Sequence, residues 1–150
     1  GPDRDEHERA PDMMQARESD IPAILELGER FHALSPWRDR LFNRNATEKT
    51  VRTLISAPTG ALFYNGHGIL GGMLSPIYFG GGTVAQELFW FADKNGRELL
   101  DAFEAWAKER GADGVIMVNL ALGEREDAVM NRMYERRGYQ LRERHFYKEV

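Results

Sequence analysis

A lone carboxylate sits inside an aromatic run: between Thr83 and Ala92, the side chains of Val84, Leu88, Phe89, Trp90 and Phe91 surround Gln86 and Glu87. An acid in apolar surroundings loses the hydration of its charged form. Its pKa rises, and near neutral pH it becomes a candidate general base. The same residue reads equally well as a strand carboxylate paired with an arginine or turned to water. Directly after this run come Asp93, Lys94, Asn95, Gly96 and Arg97, then a helix. A turn from a strand end into a helix N-terminus is where α/β proteins seat phosphates, because free N–H groups and the helix dipole point into it. The five residues are therefore either a phosphate cradle or only a tight turn.

Other chemistry-bearing residue types argue mainly by exclusion. The chain has no cysteine, which removes thiolate metal sites, disulfides and a cysteine nucleophile, and fits a cytoplasmic location. Its histidines, His7, His32, His67 and His145, show no metal-ligand spacing, so no metal is expected. Ser35 and Ser75 each precede a proline outside any nucleophile-elbow context. The glycines around His67 lie in a hairpin and not before a helix, which excludes a nucleotide loop. Arg132, Arg136, Arg137, Arg142 and Arg144 alternate with glutamates, the pattern of a solvated, salt-bridged face; the alternative is a site for a phosphate or an anionic acceptor. A net charge of -4 argues against general nucleic-acid binding, and no apolar run reaches the roughly 20 residues of a membrane span.

The elements that must position these residues follow from periodicity. Residues 1–12 are charged and nearly free of apolar side chains, with Gly1-Pro2 resembling a cleaved-tag scar, so a single domain is expected over residues 13–150. A short strand is expected at 14–17. A helix follows, capped by Ser19 or Asp20, with Ile21, Ile24, Leu25, Leu27 and Phe31 inward. The segment 32–45 reads as a loop or broken helix, and a second helix capped by Asn45 or Thr47 buries Val51, Leu54 and Ile55. Strands 61–64 and 68–79 meet at the hairpin dipeptide Asn65-Gly66. After the aromatic strand, Leu99, Leu100, Phe103, Trp106 and Ala107 recur at helical spacing up to the stop at Gly111. Residues 114–120 read as a strand covered on both faces, 124–137 as an amphipathic helix stopped by Gly138, and 139–150 as one or two strands. The order is β-α-α-β-β-β-α-β-α-β, an α/β arrangement with a mixed sheet and helices on both faces.

Over residues 13–150 this order, and the stretches ARESDIPAILEL, QELFWFAD, GRELLDAFEAWAKERGA and AVMNRMYERRGY, resemble the Gcn5-related N-acetyltransferase (GNAT) superfamily. The resemblance implies direct acyl transfer from acetyl-CoA, a cosubstrate, to a primary amine on a small molecule, modified nucleobase or protein. Glu87 would remove a proton from the amine and Tyr134 would protonate the departing thiolate. Without the resemblance, Tyr134 beside Met130 and Met133 reads as a core tyrosine with a satisfied hydroxyl. Carried over in the same way, Trp90, Ala92, Lys94, Asn95, Gly96, Arg97 and Asn131 would hold the coenzyme. His32, Ser35, Trp37 and Arg38 would bind the acceptor; the other reading of these four is a surface loop anchored by a buried tryptophan. The resemblance also implies a homodimer.

One departure from the pattern stands out. The family's turn normally carries valine-aspartate-proline and then Arg/Gln-x-x-Gly-x-Gly/Ala, whereas Ala92-Asp93 runs almost at once into the helix with Gly96 as its one glycine. Asn95 with Glu98 also spells a capping box, which would consume the N–H groups that a phosphate needs. From this follows a rival reading: an acetyltransferase fold without coenzyme binding, serving as a scaffold, with Trp90 or Phe91 filling the coenzyme track. A third reading, a nucleic-acid accessory module, requires a clustered basic face.

Overall fold

The computed structural model describes residues 14–150; the charged stretch 1–12 and the expected domain start at residue 13 lie outside the described residues. The chain divides into two compact units, one ending at Val118 and the other comprising Asn119–Val150.

In the first unit a 3-10 turn, Glu18–Asp20, leads into α1 (Ile21–Leu34) and α2 (Arg44–Ser56). Strands β1 (Gly60–Tyr64), β2 (Gly68–Pro76) and β3 (Thr83–Ala92) follow, then α3 (Gly96–Glu109) and β4 (Gly114–Ile116). The sheet order is β1-β2-β3-β4. The first three strands are antiparallel, and β4 runs parallel to β3 after the α3 crossover.

Side-chain alternation along the strands divides the core in two. On one face Ile21, Ile24, Leu25 and Leu27 of α1 join Val51 and Leu54 of α2 against Leu62 and Ile69, with Phe89 and Phe91 at the margin. On the other face α3 buries Leu99, Leu100, Phe103, Trp106 and Ala107, the inner stripe expected from their spacing. Phe103 stacks on Trp106 at 5.9 Å and meets Phe63 edge-on at 6.4 Å. Two adjacent glycines of β2 make room for one ring on each face: a Cβ at Gly71 would strike Phe89, and one at Gly72 would strike Phe103.

Several boundaries differ from expectation. Residues 14–17 form no strand: Gln15 makes one isolated bridge to Phe63, and Ala16 N–H donates to Leu62 O at 2.8 Å. Asp20 caps the 3-10 turn through Arg17 N–H and leaves α1 without a side-chain cap. The cap of α2 is Asn43, whose Oδ1 accepts the Ala46 N–H at 2.9 Å, and not Asn45 or Thr47. Asn43→Ala is expected to cost about 1 kcal/mol, the usual worth of such a cap, measurable as a lower urea midpoint with unchanged slope. The strand expected over 114–120 ends at Ile116, and two residues on, the Val118 N–H is taken by a side chain described below.

In the second unit α4 (Glu124–Arg136) ends in an Arg137 C-cap and a left-handed Gly138 (φ 90°), as the sequence indicates. The strands expected over 139–150 do not form. A strand requires a ladder partner, and among the described residues of this unit none is a strand. No helix among the described residues is long and apolar enough to cross a membrane.

Candidate active site

Strand β3 changes register at its middle. Gly72 pairs with Glu87 and Gly71 with Phe89, so Leu88 is an extra residue, a bulge opposite the glycine pair. A bulge sharpens the local twist and redirects side chains. Pairing of β3 with β4 stops one residue earlier, at Gln86 and Ile116. Beyond that point the two segments are joined through a side chain: Glu87 Oε1 accepts the Val118 N–H at 3.0 Å. Glu87 lies on the sheet face of its partner Gly72, the face that Phe103 covers, and is only 5 % exposed. Burial pushes its carboxyl up to about 7, against the opposing pull of the Val118 N–H. The reading of Glu87 as an arginine partner or a water-facing carboxylate is thereby corrected: its partner is a backbone amide, and it is buried.

The turn that follows is held from three sides. Asp93 is paired with Arg30 of α1 at 2.7 Å, and the same guanidinium lies 5.9 Å above the Phe91 ring. Phe91 itself packs on Phe31 at 5.4 Å. Trp90 donates its indole N–H to Gly96 O at 3.2 Å, tying β3 back to the start of α3. Ala92 closes against Gly96, where a Cβ would sit 3.1 Å from the Ala92 Cβ. Trp90 and Phe91 are thus engaged with α3 and α1, respectively.

The capping box expected of Asn95 and Glu98 is absent. Asn95 adopts φ 58°, the one positive φ of a non-glycine among the described residues, and its side chain makes no cap bond. Left-handed backbone at the N-cap turns that side chain away from the first-turn amides. Glu98 is drawn aside as well: its Oε1 accepts from Asn65 Nδ2 at 2.8 Å, and the same Nδ2 reaches Asn95 O at 3.1 Å. Lys94 and Arg97 are exposed beside these amides.

The acceptor-segment candidates are largely committed to building their own loop. The His32 ring meets Arg40 O at 2.6 Å through Nε2 and packs 5.6 Å from Phe42. Buried Ser35 donates through Oγ to His32 O and accepts the Trp37 N–H, and Arg38 donates to Ser35 O. Trp37 is 46 % exposed and is not the buried anchor that the surface-loop reading required. Trp37 and Arg38 remain the outward-facing pair of the four.

Tyr134 and Asn131 belong to the second unit. Tyr134 is buried and meets the Tyr139 ring edge-on at 5.3 Å. Asn131 Oδ1 accepts from Asn119 Nδ2 at 2.9 Å, and Asn119 also reaches Asp127 O, so Asn119 ties the start of this unit to α4. Among the described residues no group of three or more His, Asp or Glu side chains is placed to hold a metal. Residues that sequence reasoning passed over are Arg30, Val118 and Asn65. The first two carry no local signal, and Asn65 was legible only as a turn residue.

With this mixed sheet, bulged third strand and crossover helix, the chain has the fold of the Gcn5-related N-acetyltransferases. It is similar in structure to the aminoglycoside acetyltransferase AAC(6')-Iy in complex with the bisubstrate analogue CoA-S-monomethyl-acetylneamine, at a TM-score of 0.68 and 15% identity, covering 91% of this chain and 95% of that one. A transcriptional regulator from Bacillus halodurans C-125 superposes at 0.68 with 18% identity over 91% of this chain and 97% of its own. An aminoglycoside acetyltransferase from an uncultured soil metagenomic sample, in complex with sisomicin, does so at 0.64 with 17% identity over 91% and 93%. No family model matches the sequence, and no curated protein matches it.

Proposed function

We propose that the protein transfers an acetyl group from acetyl-CoA to a primary amine by direct attack. The observation that carries this reading is the Glu87 carboxyl, 5 % exposed and bonded to the Val118 N–H where the pairing of β3 with β4 ends. Burial pushes its pKa up to about 7, so it is part-ionised at neutral pH and suited to take a proton from a substrate ammonium before attack or from the amine nitrogen as it attacks. The amine nitrogen bonds to the thioester carbonyl carbon, the carbon–sulfur bond breaks, and Glu87 takes the nitrogen's proton. The sulfur leaves as the coenzyme A thiolate, which is protonated in turn. The residues that would hold the donor are Trp90 and Ala92 at the strand end, Lys94 and Arg97 by charge, and the uncapped amides from Asn95 and Gly96 onward. The open first turn of α3 suits a pyrophosphate better than the capping box expected from sequence.

The acceptor is a small-molecule amine, a modified nucleobase or a protein amine. Aminoglycosides are the first amines to test, since structurally similar proteins carry that name. Trp37 and Arg38 are the exposed residues of the four and would face the acceptor. Calorimetric titration with acetyl-CoA tests the donor: saturable binding at micromolar to millimolar ligand is expected. Absence of heat at millimolar ligand removes the enzymatic reading. It leaves the rival, a scaffold on the same fold, which the abbreviated turn and the Val118 amide already bonded to Glu87 favour.

A further inference from the structure

The β1–β2 hairpin reaches the start of α3 through the Asn65 side chain. Asn65 Oδ1 accepts the N–H groups of His67 and Gly68, both at 2.9 Å, which fixes its amide plane. The opposite end of that amide, Nδ2, then points at α3 and bonds both Asn95 O and Glu98 Oε1. Glu98 is the third residue of the helix. In the ordinary capping arrangement a glutamate there folds back onto the N-cap N–H, adding both a competing acceptor and a negative charge.

We propose that Asn65 is a positioning residue for the anion seat: its side-chain amide holds the Glu98 carboxylate out of the first turn of α3, leaving that turn's N–H groups for the pyrophosphate of coenzyme A. The inference rests on the acetyl-CoA reading above. The bond to Asn95 O acts in the same direction, since it braces the left-handed residue whose conformation keeps its own side chain from capping the helix.

The test separates the strut from general damage to the hairpin. Asn65→Asp keeps the Oδ1 acceptor for His67 and Gly68 but replaces the Nδ2 donor with an oxygen that repels Glu98. Coenzyme A affinity, by calorimetry on the full chain, is expected to fall about fivefold, the worth of one charge released at a helix N-terminus. Combining Asn65→Asp with Glu98→Gln reverses donor and acceptor across the same gap and is expected to restore most of that loss. Glu98→Ala, which leaves the hairpin intact, is expected to bind coenzyme A at least as tightly as the parent. Binding of pantetheine, which lacks the pyrophosphate, is expected to be the same in all variants, a readout that loss of folding would not spare. A parent that binds coenzyme A while N65D binds it equally, or an E98A that binds it more weakly, overturns the role given to Asn65 and leaves the donor assignment standing. A parent that binds no coenzyme A overturns both.

Discussion

Glu87→Gln is expected to lower acetyl transfer at neutral pH by about a thousandfold, within the range that a positioned general base contributes. The glutamine keeps the shape and can still accept the Val118 N–H, so the link between β3 and the segment after β4 is retained while the proton acceptor is lost. The pH profile carries a second signature. With the carboxyl titrating at about 7, the parent's rate rises as pH increases through that value and levels off above it, because the ionised form is the active one. The variant's residual rate lacks that inflection. The measurement is release of coenzyme A thiol from acetyl-CoA with an accepted amine between pH 5 and 9, alongside the dissociation constant of the donor. If the variant lost donor affinity as severely as rate, Glu87 would be part of the binding surface and not a base.

The same residue makes a large prediction about stability, of opposite benefit. Raising a carboxyl from 4.5 to about 7 by burial means that the native state holds a proton which the unfolded chain has already released in that interval. Stability from this site is fully present below the unfolded value and is lost as pH rises through 7. Above 7 the folded protein carries a buried charge at a cost of about 3 kcal/mol. Glu87→Gln removes that cost. The variant is therefore expected to be more stable than the parent at pH 8 by up to about 3 kcal/mol, with the difference vanishing near pH 4.5. Urea denaturation of both proteins at pH 5 and pH 8 reads it directly. A variant no more stable than its parent at pH 8 would mean that the carboxylate is solvated, contradicting its 5 % exposure. Together the two expectations describe a carboxylate that would cost the fold stability at the pH where it would act.

The inner stripe of α3 was legible because helical burial writes itself into spacing: Leu99, Leu100, Phe103, Trp106 and Ala107 recur at the helix period, and all are buried. The α1 stripe and the stops at Gly111 and Gly138 were legible for the same kind of reason, since positive φ selects glycine locally. Prediction failed where a long-range partner decided the outcome. Residues 117–120 are apolar enough for a strand, yet Val118 gives its N–H to a side chain 31 positions away. Asn95 and Glu98 have the spacing of a capping box, yet Asn65 from another hairpin takes the glutamate.

By itself, the sequence determined the class of fold, the carboxylate inside an aromatic strand and the turn to which a phosphate would have to bind, because each depends on residue type and on periods of two or 3.6 along one segment. Only the tertiary structure decided that Glu87 is dry, that β3 is bulged beside it and that the first turn of α3 is left uncapped. Desolvation and hydrogen-bond competition depend on which groups from distant segments arrive within about 3 Å, and no local pattern encodes that arrival.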